Sequence, residues 1–164
     1  ILKIPGYSSY LHPLGDSYVI GVGKEGSNLK LSLFDVSNVS EPREVAKFQL
    51  DYAYSDSEAL NDHKAFLFDE QKGLLVLPDS WNSGRDWTYS QGAYVFNLTV
   101  DGGFVLKGVV NHQLNTNTSS WDYAVRRSLY IGNTLYTLSS EKLVMNDLAS
   151  LALINVVELQ PFGS

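Results

Sequence analysis

The side chains best suited to chemistry fall in a few places. Asp62 and His63 are adjacent in the stretch ALNDHKAFLFDEQKGLLVLP (59–78). An imidazole beside a carboxylate can act as a general base, hold a metal ion, or hydrogen-bond neighbouring backbone. His12 and Arg126 stand, like His63, where a polar stretch runs into an apolar, strand-like one. A ring of His12, His63 and Arg126 would suit an anion or carboxylate, and with Asp62 a metal. The structural alternative is that these groups hydrogen-bond adjacent elements and fix their packing. Asp56, Glu58 and Asp62 supply the hard oxygens calcium takes, although no D-x-[DN]-x-[DN]-G loop accompanies them.

A second group is aromatic. Trp81 and Trp87 lie in DSWNSGRDWTYSQG (79–92), and Trp121 in NHQLNTNTSSWDY (111–123). Trp, Tyr and Arg dominate recognition surfaces. Trp81, Arg85, Trp87 and Tyr89, joined by Trp121, could therefore form one platform for a glycan or a peptide. The competing reading folds each tryptophan back to cap apolar edges.

Enzyme signatures are missing. The chain has no G-x-S-x-G, H-E-x-x-H, P-loop or dinucleotide fingerprint. A Ser–His–Asp set could be assembled from many residues, but triads are recognised by geometry. A hydrolase with loop-borne carboxylates drawn from Asp51, Asp56, Glu58, Asp62, Asp79 and Asp86 is the residual catalytic reading.

The net charge of −6 and pI near 4.9 disfavour nucleic acid and anionic membranes as partners, since no basic patch could displace phosphate counterions. Cationic partners and metal ions are not disfavoured in this way. The absence of cysteine removes disulfides, thiolate catalysis and zinc–thiolate sites. No apolar run approaches the roughly 18–20 residues of a membrane helix. The abrupt start ILKIP suggests a piece of something longer. Sequons at Asn38, Asn97 and Asn117 suit an extracellular protein, though a chain this rich in Asn, Ser and Thr yields nearly as many by chance.

The elements that must position these groups are strands. Short runs of Val, Leu, Ile, Tyr and Phe recur throughout, punctuated by Gly, Asn, Asp or Pro. The best helical stretch, NDLASLALINVVEL, has a β-branched tail and reads as strand–turn–strand. Three self-similar units share a third-strand signature at Phe34-Asp35-Val36, Phe96-Asn97-Leu98 and Asn146-Asp147-Leu148, about 50–60 residues apart. Asp and Asn at such points organise turns. Phe66, Phe68, Tyr94 and Phe96 read as packing between sheets.

Units of four antiparallel strands at this period predict an all-β fold of β-propeller blades, with a sandwich or open sheet as the alternative. The expected division is 1–8 as the last strand of a preceding blade, then blades at 9–50, 59–110 and 123–159. Three blades cannot close a ring of the usual 4–8. The partial propeller is thus expected to be completed by a longer chain or by self-association. The long stretches at 51–62, 79–92 and 111–123 all fall on one face of such blades, opposite short turns. Long loops on a rigid scaffold tend to carry function.

The segments LHPLGDSYVIGVGKEG, LKLSLFDVSNVSEPREVAKF and EALNDHKAFLFDEQKGLLVLP resemble secreted archaeal and bacterial proteins with a C-terminal β-propeller domain, distantly WD-repeat-like. LFDVSNVSEPREVAKF is also similar to the LVIVD-type repeat of bacterial surface propellers. The resemblance implies the propeller fold and an extracellular or envelope-associated setting, and brings no family-wide activity. The expected function is a non-catalytic extracellular interaction module with a protein or glycan partner. A structural subunit of a cell-surface assembly is the alternative. No cofactor is expected, calcium being the one metal the acidic loops would suit.

Overall fold

The computed structural model describes residues 5–82, 84, 89–113 and 123–159. Thirteen strands among them form three antiparallel sheets, and the fold is that of propeller blades. The first blade is β1 (Tyr7–Leu14), β2 (Tyr18–Glu25), β3 (Asn28–Asp35) and β4 (Arg43–Gln49), paired in chain order. Tyr7 and Ser8 are the opening residues of β1, opposite Lys24 and Gly23. They belong to this blade rather than to a preceding one, because a bulge after Ser8 lets the pairing continue. Gly23 makes room for this, since a Cβ there would lie 1.6 Å from the Tyr7 carbonyl oxygen.

The second blade departs most from expectation. Its innermost position is shared by two short strands, β5 (Tyr54–Asp56) and β6 (Leu67–Asp69), both paired with β7 (Leu74–Asn82). β8 (Tyr89–Thr99) and β9 (Gly103–Val110) complete it. Between β5 and β6 the chain makes two 3₁₀ turns, Glu58–Leu60 and His63–Ala65. HKAFLFD is therefore not one strand. Ser57 accepts the Ala59 N–H (3.2 Å) and Asp62 accepts the Lys64 N–H (2.9 Å), and these caps turn the backbone out of the ladder. Opposite the gap stands Pro78, which has no N–H to offer a continuous strand.

The third blade is β10 (Arg127–Ile131), β11 (Thr134–Leu138), β12 (Lys142–Asp147) and β13 (Leu153–Glu158). The segment read as a helix or strand–turn–strand is the latter. The turn at Gly73 has φ +59, and that at Gly132 φ +58, left-handed values glycine adopts without strain.

The shared third-strand signature has a structural meaning. The pairing of third and fourth strands slips at Leu33/Phe34, Val95/Phe96 and Met145/Asn146, the same place in each blade. Just beyond the slip, Asp35 Oδ1 accepts the Ser37 N–H and Asp147 Oδ1 accepts the Ser150 N–H. After Asn97 the turn is held instead by Thr99, whose hydroxyl accepts the Gly102 N–H.

The core lies between blades. β7 is buried on both faces: Leu75 and Leu77 point toward the first blade, and Leu74 and Val76 toward the third. Phe66, Tyr94 and Phe96 join Ile20, Leu31 and Leu33 between blades one and two, with Phe68 against them. Val95, Leu135 and Val144 fill the space between blades two and three.

Candidate functional site

The described parts of the stretches at 51–62 and 79–92, with residues 124–126, meet on one side of the blades. Most of 79–92 is strand, with β7 running to Asn82 and β8 starting at Tyr89. A cleft of about 490 Å³ opens on this face, where β5, the first 3₁₀ turn, the end of β7 and residues 124–126 converge. Its polar lining includes Asp56, Glu58, Asn61, Asp79, Ser80 and Arg126, with Tyr54 and Tyr89 exposed on it. The opposite face holds a smaller cleft of about 350 Å³, where Lys107 Nζ donates to the Leu148 carbonyl (2.9 Å).

His12, His63 and Arg126 do not form one ring. His12 Nδ1 lies 3.0 Å from the Tyr10 hydroxyl, and its imidazole packs against Phe66 and Phe68. Burial holds its pKa below the ordinary histidine value. His63 stacks on the other side of the cluster, 6.3 Å from the Tyr10 ring. The two histidines thus meet through Tyr10 in an aromatic group at the junction of blades one and two. Arg126 is exposed and lines the cleft.

Its neighbour makes the specific contacts. Arg127 donates to Glu58 Oε1 (2.9 Å) and Asp62 Oδ2 (2.5 Å), tying the 57–66 excursion of blade two to the first strand of blade three. The Lys64 N–H foremost, and the Arg127 charge after it, hold the Asp62 carboxyl below the usual carboxylate range. The third carboxylate named for a metal, Asp56, pairs with Lys24 at 3.0 Å. Among the described residues no three His, Cys, Asp or Glu side chains cluster in a way that could hold a metal ion.

Trp81 is in β7, half-buried, stacked on Tyr52 (5.6 Å, 17°) and edge-on to Tyr94 (5.4 Å, 74°). It packs against the first interblade core. Tyr89 opens β8 opposite Asn82. Arg85, Trp87 and Trp121 lie outside the described residues, as does Asn117.

Two buried titratable groups matter more than the sequence showed. Asp79 is 2 % exposed, and neither carboxyl oxygen has a hydrogen-bond partner among the described residues. Desolvation, then the nearby Asp56 charge, pushes its pKa up to about 9; the Ser80 amide, close to the carboxyl but outside hydrogen-bond geometry, and Lys24 pull the other way without compensating. Its place was legible: period-two register from Leu75 and Leu77 puts Asp79 on a buried face. His112, just after β9, is fully buried. Its ring nitrogens sit 3.0 Å from Ser139 Oγ and 2.8 Å from Thr137 Oγ1, both on blade three. Burial, with a lesser push from Lys142, lowers its pKa to about 4. No local signal distinguishes His112 from a loop histidine, because its partners come from another blade.

Residues 1–151 match the family described as the beta propeller domain. The chain belongs to that family. This agrees with the three blades and their shared bulge. The propeller domain is also 35% identical over 159 residues to an uncharacterized protein of Archaeoglobus fulgidus, covering 97% of this chain and 22% of that protein. It is 36% identical over 166 residues to an uncharacterized protein of Methanocaldococcus jannaschii, covering 99% and 23% respectively. The chain spans less than a quarter of the length of these relatives.

Proposed function

We propose that this propeller domain is a non-catalytic interaction module acting outside the cell or at its envelope, with a glycan or peptide ligand taken on the long-loop face. The observation that carries the reading is the 490 Å³ cleft on that face, which combines two exposed tyrosine rings with several convergent polar groups. Its volume lies in the range usual for ligand sites, and its lining is more polar than most of them. The resemblance to secreted propeller proteins supports the setting. In a screen of glycans and peptides against the domain, a ligand that binds the wild type and is lost on Tyr54→Ala or Tyr89→Ala is the expected result. A ligand insensitive to both would remove the cleft from the site.

The structural-subunit reading has its own observation. On blade three, Leu129 and Ile131 of β10 are 50% and 66% exposed, and Leu153 and Ile154 are exposed on β13 at the other edge of the sheet. They alternate with residues such as Tyr130 that pack toward blade two. An apolar sheet face of this kind suits a further blade or a second copy. Light scattering over a concentration range tests this: a dimer abolished by Ile131→Asp supports completion by self-association, and a monomer at all concentrations opposes it.

A further inference from the structure

The geometry points to a primary ammonium group, as borne by a lysine side chain or a peptide N-terminus, as the group bound in the long-loop cleft, with Asp79 as its carboxylate partner. The inference rests on the interaction-module reading and narrows it to a ligand class. Asp79 lines the cleft yet is almost wholly buried, and both its oxygens lack hydrogen-bond partners among the described residues. Buried polar groups in native proteins are nearly always satisfied, by protein, water or a bound group. The other carboxylates here are already matched: Asp56 to Lys24, and Glu58 to Arg127.

Asp56 and Glu58 are paired with Lys24 and Arg127, and Arg126 stands exposed on the rim, so Asp79 is the cleft carboxyl outside an ion pair among the described residues. Asp56 opposes ionisation of Asp79, and Lys24 favours it, while the Tyr94 hydroxyl feels the Asp79 charge from the adjacent strand. An ammonium arriving beside Asp79 would relieve the repulsion from Asp56 and supply donors to the unpartnered oxygens. A metal ion is a poorer fit, since no third free carboxylate or histidine completes a set among the described residues. The overall charge of −6 also favours approach of a cation.

Binding is then coupled to loss of the Asp79 proton. With the carboxyl titrating near 9, about 1% is ionised at pH 7 and about half at pH 9. Apparent affinity scales with the competent fraction, so it should rise about fifty-fold over that interval while the amine stays charged.

The test is calorimetry of the domain with the peptide acetyl-Gly-Lys-Gly-amide and its Nε-acetyl-lysine counterpart. Expected are binding of the lysine peptide alone, a tightening of about fifty-fold from pH 7 to 9, and release of nearly one proton at pH 7, read from buffers of different ionisation enthalpy. Asp79→Asn should weaken binding at pH 9 more than ten-fold and remove the pH dependence. Asparagine mimics the protonated acid, so this variant should fold, and the proton release needs no variant. Equal binding of the acetylated peptide, or an unchanged Asp79→Asn profile, overturns the ammonium assignment. A neutral oligosaccharide lost on Tyr89→Ala but not on Asp79→Asn would overturn it while leaving the interaction module standing. No binding of any probe to the cleft would overturn both.

Discussion

The two interblade junctions of this domain solve the same packing problem differently. Between blades one and two the filling is aromatic: Phe66, Tyr94 and Phe96, with Trp81 packed against them. The inner strand of blade two is broken there, and a carboxyl, Asp79, is buried without a partner. Between blades two and three the filling is aliphatic, and a buried titratable group, His112, is satisfied at both nitrogens by Thr137 and Ser139. Burial shifts both groups toward neutrality, up for Asp79 and down for His112. The difference is in what remains to be bonded. A satisfied group fixes packing, whereas an unsatisfied one facing a cleft has capacity left for a ligand.

The comparison can be broken most severely at the aromatic junction. Phe96→Ala should cost about 3–5 kcal/mol, because a fully buried ring leaves a cavity that the rigid sheets cannot close. Chemical denaturation would show it as a fall in midpoint at unchanged slope. Asp79→Asn should act in the opposite direction. Its folded pKa lies above the unfolded value, so the stability this group contributes is full below about pH 4 and is lost as pH rises toward 9. Removing the ionisable group should therefore raise stability on the order of 2–4 kcal/mol at pH 7, with a larger gain at pH 9 than at pH 5 in denaturation curves.

His112→Leu tests the satisfied group. Leaving the Thr137 hydroxyl without a partner should cost about 1–3 kcal/mol. The wild-type contribution is present above the unfolded pKa near 6.5 and is lost as pH falls toward 4, because the unfolded chain takes up the proton first. The variant should lack that acid-limb decline. Arg127→Ala should have the smallest effect on global stability, below about 1 kcal/mol, since its ion pairs are partly solvated. Hydrogen exchange should nevertheless quicken in 57–66, which it ties to blade three.

The long-loop face shows where sequence reading lost resolution. The stretch 59–78 carried an apolar alternation strong enough to mark a strand, yet local caps at Ser57 and Asp62 took the chain out of the ladder before Leu67. Arg126 was singled out for its place at the entry to a strand, and the structure gives the ion pairs to its neighbour Arg127. Adjacent residues on an extended chain point to opposite sides, so a one-residue difference decides which of them meets Glu58 and Asp62. Trp81 looked like a loop residue because DSWN is polar, but β7 continues through it to Asn82.

What the amino-acid order alone determined was the blade: four strands, their turns, and the place of the shared bulge. These depend on contacts between residues near in sequence and on the period of two. Glycine turns and the recurrent Phe-Asp, Phe-Asn and Asn-Asp pairs were enough to mark them. Only the tertiary structure decided which face each buried group meets, that Asp79 lacks a partner, that His112 has two, and that the cleft draws on both sides of a blade junction. Those facts arise between blades, where partners lie about 25–69 positions apart. Strand alternation sets the direction of a side chain but carries no record of what the facing sheet places opposite it.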